Sequence, residues 1–132
     1  MLGIGAMIQT LSGNEEIVDA IKSALNKTIE KVWLEENELL FKFTDGTNLK
    51  LYDNGQSCCE DRYMRTDDNL SEYEGAKLLD FELKNAPSQE NIYGAHEIQF
   101  LDVITDKGIF QMANHNEHNG YYGGFWIVAR VF

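Results

Sequence analysis

The three histidines and two cysteines are the residues of this sequence best suited to bind a metal ion. His96, His115 and His118 lie in the C-terminal part of the chain, and Cys58 and Cys59 are adjacent. Imidazole and thiolate are ligands that Zn²⁺ prefers, and a tetrahedral shell takes four of them. Three imidazoles and one thiolate close that shell. The residue types therefore predict a structural zinc site, since a catalytic zinc keeps one position for water.

The spacing of the histidines fits a β-hairpin. The stretch Thr105–Gly108 is typical of a turn between two strands. With the turn centred there, Ile98 faces His115, and apolar residues on the two strands match each other on one face. This register places His96 diagonally beside His115, with His118 just past the strand end. We therefore expect the three imidazoles to converge within reach of one ion.

One of the two cysteines is expected to complete the zinc shell, since neighbouring side chains tend to point apart. We favour Cys59 slightly and keep Cys58 as the alternative thiolate. The glycine- and asparagine-rich segments 53–60 and 114–124 give the backbone freedom to direct ligands. The simpler alternative is that the cysteines are buried and the histidines are hydrogen-bonded, without any metal.

An enzymatic function has less support in the sequence. The HNEH run at residues 115–118 lacks the spacing of the HExxH zincins, and the CxxC pair of the zinc deaminases is absent. Glu117 could act as a general base between the histidines, which leaves a small zinc-dependent hydrolase as an alternative. We expect the protein not to be an enzyme.

Composition indicates one acidic domain spanning residues 1–132. With 132 residues, 43% of them hydrophobic, the chain can build one core of ordinary size. Its 22 acidic and 11 basic residues give a formal net charge of −11, which disfavours direct binding to nucleic acid or to a membrane and favours a basic protein partner. The alternative is that each acid is only solvated and keeps the protein soluble. The candidate contact residues are seven acids that we expect to be exposed: Glu35, Glu36, Glu38, Asp67, Asp68, Glu72 and Glu74.

The cysteine pattern and the apolar segments predict a cytoplasmic location. Adjacent cysteines form a disulfide only with strain, and no third cysteine is present as a distant partner. The apolar N-terminus lacks the basic region of a signal peptide, and no apolar run reaches the length of a transmembrane helix.

Hydrophobic periodicity predicts an α+β fold, with an N-terminal helix packed on a mainly antiparallel β-sheet that carries the loop-anchored zinc site. A helix is expected over residues 12–27, with Ser12 and Glu15 at capping-box spacing. A three-strand meander follows, with Ile29, Lys31 and Trp33 alternating in its first strand. Residues 53–75 and 85–91 are expected to be loops, the former with a short helical turn ending at Tyr73 and capped by Asp67-Asp68. Further strands are expected over residues 76–83, 95–104, 109–115 and 125–132.

Two motifs carry a resemblance to known proteins. They are DNGQSCCED at residues 53–61 and HNGYY at residues 118–122, joined by Glu74-Gly75-Ala76, an Ile-x-Phe strand and the Thr105-x-x-Gly108 turn. Over roughly residues 50–125 the chain resembles a family of phage and prophage proteins. With its set of three histidines and one cysteine, it is similar to zinc-containing anti-CRISPR proteins directed at the type II-A effector nuclease.

This resemblance implies a protein that acts inside the bacterial host cell by binding the CRISPR effector nuclease directly. It also implies structural Zn²⁺ as the cofactor, and it supports the same histidine and cysteine ligands. An RNA-guided nuclease holds its heteroduplex in a positively charged channel, so an acidic protein can compete with nucleic acid there or block target DNA loading or cleavage. The remaining alternative is a phage accessory protein that binds another basic host factor.

Overall fold

The computed structural model describes residues 15–53, 60–85, 89–91, 94–118 and 127–132. These residues form an α-helix, a 3₁₀-helix and nine β-strands. The helix α1 spans Glu15–Ala24, and the 3₁₀-helix spans Leu70–Tyr73. The strands are β1 (Ile29–Glu35), β2 (Glu38–Phe43), β3 (Asn48–Asp53), β4 (Glu60–Arg65), β5 (Leu78–Asn85), β6 (Gln89–Asn91), β7 (Gly94–Thr105), β8 (Gly108–His118) and β9 (Ile127–Val131).

The strands form two antiparallel sheets. Sheet A has the order β1-β2-β3-β9, and sheet B has the order β4-β8-β7-β5 with β6 paired to β7. An α+β fold with mainly antiparallel strands is therefore confirmed. The sequence predicted one sheet, however, and the structure has two. The reason is that β4 and β9 each pair with a strand far away in the chain, and local periodicity does not encode such pairings.

Side chains from both sheets share one core. On sheet A, Leu39, Phe41 and Phe43 are buried. The ring of Phe41 lies 6.0 Å from that of Phe81 on β5 and 6.4 Å from that of Phe110 on β8, measured between centroids. Sheet B is thereby held by its apolar inner face, which leaves its opposite, outer face to carry polar and reactive groups.

The helix covers part of the same core. It contacts β9 and β3, and its residues Ile17 and Ala24 are buried, so one face of the helix packs on the core. The described helix ends at Ala24, earlier than predicted, and Asn26 follows with a φ of 70°. Asparagine tolerates this left-handed conformation, which commonly ends a helix. The predicted capping box at Ser12 lies outside the described residues.

The first strand departs from the predicted alternation. The pairing of β1 with β2 is irregular between Ile29 and Lys31, as at a β-bulge. A bulge adds one residue to one strand, so the side chains after it change faces. As a result Val32 is buried and Trp33 is only half-buried, although the alternation predicted Trp33 on the same face as Ile29.

Two of the predicted loops contain strands. Residues 53–75 include β4, in which Met64 is the buried apolar residue, and residues 85–91 include β6 and the end of β5. Both strands are short and mostly polar, so they lack an apolar alternation. The helical turn ending at Tyr73 is confirmed, but its N-cap is Asn69 and not the predicted aspartates.

Candidate metal and partner-binding site

The β7–β8 hairpin has the register that its turn predicts. Thr105 pairs with Gly108, Ile98 pairs with His115, and every pair between them follows without a shift. Along β8, Phe110 and Met112 point into the core, so the alternate residues Ala113 and His115 point to the outer face of sheet B. The predicted position of His115 opposite Ile98 is confirmed.

His96 and His115 form a pair on this outer face. Nε2 of His96 lies 3.0 Å from Nδ1 of His115, and both side chains are half-buried. The ring centroids are 5.2 Å apart. The diagonal contact expected from the hairpin register is therefore present. Two ring nitrogens at this distance share one proton in a hydrogen bond, or direct two lone pairs toward one cation.

Strand β4 supports the histidine pair from the other side of β8. Tyr63 pairs with His115 across the two strands, and the rings stack with centroids 4.6 Å apart and planes within 8°. The Tyr63 hydroxyl donates a hydrogen bond of 2.9 Å to Oε2 of Glu117. The guanidinium carbon of Arg65 lies 5.0 Å from the centre of the Tyr63 ring. The imidazole of His115 is thus positioned by two neighbouring rings, and its orientation is set before any ligand arrives.

The surroundings of His115 favour its neutral imidazole form. Burial lowers the pKa of His115 below its ordinary value, and the charges of His96 and Arg65 lower it further, while Glu117 acts in the opposite direction. Burial raises the pKa of Tyr63, and the hydrogen bond to Glu117 adds to this effect. Neutral imidazole is the form that binds metal ions, so His115 needs no deprotonation at neutral pH to act as a ligand.

The geometry of the pair fits two ligands of a tetrahedral zinc ion. Zn–N bonds of about 2.0–2.1 Å at tetrahedral angles place two ligand nitrogens about 3.3 Å apart. The observed separation of 3.0 Å is within about 0.3 Å of that value. In the part of the chain that the structure describes, no three or more histidine, cysteine or acidic side chains lie together as a metal-binding group.

The other predicted ligands remain predictions. Cys58 and Cys59 lie outside the described residues, as do the glycine-rich residues 119–124. The backbone of His118 lies at the end of β8, where it pairs with Glu60 and Ala95.

The contribution of β4 to this site was not predicted from the sequence. Residues 53–75 were expected to form a loop, so Tyr63, Arg65 and the link from Tyr63 to Glu117 were not foreseen. The available signal was weak: in EDRYMR, residues 60–65, only Tyr63 and Met64 are uncharged, and only Met64 is deeply buried. A search for a polar strand able to pair with the polar end of β8 would have been needed to find it.

The seven candidate acids divide by what they contact. Four make hydrogen bonds or ion pairs within the protein. Glu38 is 3.6 Å from Nζ of Lys50, and Glu74 accepts a hydrogen bond from a backbone amide. Asp68 accepts one from the backbone of β8, and Glu35 accepts one from the indole of Trp33. Glu38 and Glu74 are also half-buried, which corrects the expectation that all seven acids are exposed.

The carboxylates of the other three candidates are exposed and have no hydrogen bond or ion pair with another described residue. They are Glu36, Asp67 and Glu72. The segments that carry Glu36 and Asp67 are neighbours, because Oδ1 of Asn37 accepts hydrogen bonds of 3.2 Å from the Met64 amide and from Nη1 of Arg65. These contacts join the β1–β2 turn to the end of β4, just before Asp67. The 3₁₀-helix that carries Glu72 contacts β1. We call Glu36, Asp67 and Glu72 the acidic edge.

Fold and site together define an acidic α+β domain of two antiparallel sheets with a histidine pair on the outer face of one. Comparison with protein families matches residues 22–128 to DUF7448, a domain of unknown function, and the chain belongs to this family. The match runs from α1 into β9 and includes the histidine pair and the acidic edge. Searches of curated proteins and of solved structures found no match. No helix among the described residues is long and apolar enough to cross a membrane.

Proposed function

We propose that this protein is a non-enzymatic inhibitor that binds a basic partner protein through the acidic edge, and that the partner is the type II-A CRISPR effector nuclease. The observation that carries the proposal is the acidic edge itself. Three exposed carboxylates on adjoining segments have no hydrogen bond or ion pair within the described structure, in a chain of net charge −11. The choice of nuclease comes from the sequence resemblance.

Electrostatics supplies the physical reason for such a role. Complementary charge steers the encounter of two proteins and raises association rates by roughly 10- to 1,000-fold at low ionic strength. The channel that holds the guide–target heteroduplex in such a nuclease is positively charged, so an acidic protein can occupy a surface that nucleic acid needs. The same charge makes direct binding of this chain to DNA or RNA unfavourable.

Zinc has a structural part in the proposal. His96, His115, His118 and Cys59, or Cys58 in its place, would hold the ion. Four protein ligands would tie the cysteine-containing segment to the β7–β8 hairpin, which contributes folding free energy without chemistry. The short distance between His96 and His115 supports this assignment.

A charge-reversal experiment tests the acidic edge. The variant Glu36→Lys/Asp67→Lys/Glu72→Lys is compared with a control that changes net charge equally, Asp19→Lys/Asp80→Lys/Glu82→Lys, whose three exposed acids lie on α1 and β5. DNA cleavage by the purified nuclease–guide complex is measured against inhibitor concentration at physiological salt. We expect the edge variant to need at least about tenfold more protein for half-inhibition than the control. Equal potency of the two variants would contradict the proposal.

One measurement tests the zinc site, and a second separates this proposal from a zinc-dependent hydrolase. Elemental analysis of untagged protein purified without added metal should find about one zinc per chain. In a hydrolase, Glu117 would be the general base, and Glu117→Gln would abolish turnover of a generic ester or peptide substrate. In the structure the Glu117 carboxylate accepts a hydrogen bond from the Tyr63 hydroxyl, which is a structural role. We therefore expect the Glu117→Gln variant to inhibit the nuclease as well as the unchanged protein does.

A further inference from the structure

The outer face of sheet B carries an open groove of about 460 Å³ beside the histidine pair. Ile98, Phe100 and Ala113 form its apolar floor, and His115 lies at one end. Asp67 and Asp68 form one wall. The groove is therefore apolar at its base and acidic at its side.

Cross-strand pairing explains the shape of the floor. Phe100 on β7 pairs with Ala113 on β8, and the next outward pair is Ile98 with His115. A methyl group beside larger side chains leaves a depression at Ala113. These floor residues are only half-buried, and they point away from the core that Leu101 and Met112 fill.

The acidic wall is held in place by hydrogen bonds to β8. Beyond the end of β4, Oγ1 of Thr66 donates a hydrogen bond of 2.9 Å to the carbonyl of Gln111. The Gln111 amide in turn donates one of 2.8 Å to Oδ2 of Asp68. The segment after β4 therefore bonds to both backbone groups of Gln111, so the groove exists before a ligand binds.

The charges around the groove select its occupant. Asp67 is exposed and has no hydrogen bond or ion pair with another described residue, so its charge is available to a ligand. The nearest cation on the rim, Arg65, already contacts Asn37 and the Tyr63 ring. An aliphatic or aromatic side chain on the floor, next to a lysine or arginine facing the wall, satisfies both surfaces.

We propose that this groove receives an apolar side chain from a basic segment of the partner protein, with an adjacent lysine or arginine pairing with Asp67. The inference rests on the proposed function, because it assigns the docking point of that basic partner. Open grooves of this size suit one protruding anchor residue, and such anchors carry much of the binding free energy of protein interfaces. No described part of the chain covers the floor.

Filling the groove tests the inference. Ala113→Phe places a ring on the floor and leaves every acidic residue in place. Ile109→Phe is the matched control, since Ile109 is 54% exposed and points outward from the same strand, beyond the groove lining. Affinity for the purified nuclease–guide complex is measured by biolayer interferometry. We expect Ala113→Phe to weaken binding at least about tenfold and Ile109→Phe to leave it within about twofold.

The outcomes distinguish this inference from the proposed function. If the edge variant loses binding but Ala113→Phe does not, the groove is not the docking point and the inhibitor proposal stands. If neither variant weakens binding, or the unchanged protein does not bind, both proposals fail. Photocrosslinking from benzoylphenylalanine at position 113, with position 109 as control, gives an answer even if Ala113→Phe folds poorly. Equal crosslinking from the two positions would overturn the inference.

Discussion

Zinc should stabilise this protein through the histidine pair, and removing His115 should abolish the effect. The two ring nitrogens are already within about 0.3 Å of the separation that two positions of a tetrahedral ion require. Free zinc at 100 times its dissociation constant adds about 2.7 kcal/mol to the free energy of unfolding. For a domain of this size, about 3–4 °C per kcal/mol gives an increase in Tm of about 8–11 °C.

The assay compares the Tm of metal-free protein with and without zinc by differential scanning fluorimetry. His115→Ala also removes the ring that stacks on Tyr63, so its metal-free Tm will fall for reasons unrelated to zinc. The informative quantity is therefore the zinc-induced increase, which we expect to vanish in His96→Ala and His115→Ala and to persist in the control Ile109→Ala. An unchanged increase in His115→Ala would refute the reasoning. Single Cys58→Ser and Cys59→Ser variants then identify the thiolate.

Three further predictions concern the fold. Phe41→Ala should lower the free energy of unfolding by about 3–5 kcal/mol in urea titrations, because its fully buried ring contacts both sheets, and a loss below about 1 kcal/mol would contradict that packing. Hydrogen bonds from Thr47 and the cation of Lys27 lower the pKa of Asp45 from 3.8 to about 2, so the stability contributed by its carboxylate is lost as pH falls from about 4 through 2. A carboxyl ¹³C NMR titration should show that midpoint, whereas a midpoint near 3.8 would exclude the interaction. Asn37→Gly keeps the left-handed turn but removes the bonds to β4, and should cost about 1–2 kcal/mol in the same urea titration; an unchanged free energy would show that those bonds contribute nothing.

The hairpin that carries the histidine pair was predictable because its information is local. Thr105–Gly108 defines a turn, and once the turn is centred, pairing of apolar residues allows one register. The contact between His96 and His115 follows from that register alone. Three-dimensional pairing of distant segments was not needed for this part of the site.

The rest of the site depends on pairings that local patterns do not contain. β4 pairs with β8, some fifty residues further along the chain, and four of its six residues are charged, so it shows no apolar alternation. The bulge in β1 likewise reverses the faces of Val32 and Trp33 without a glycine to mark it. In both cases contacts between distant segments override the local preference of the sequence. Hydrophobic periodicity over a few neighbouring residues therefore favours the wrong assignment.

Strand β4 also joins the three features to which we assign a function, namely the histidine pair, the acidic edge and the groove. Tyr63 of β4 stacks on His115, Arg65 contacts the turn that bears Glu36, and the segment that follows β4 forms the wall of the groove. His115 lies in both the histidine pair and the end of the groove. An ion that fixes this ring would therefore also fix one end of the docking surface. This connection would give a structural zinc a reason to lie on an outer face, because there it would order the surface that a partner meets as well as the core beneath it.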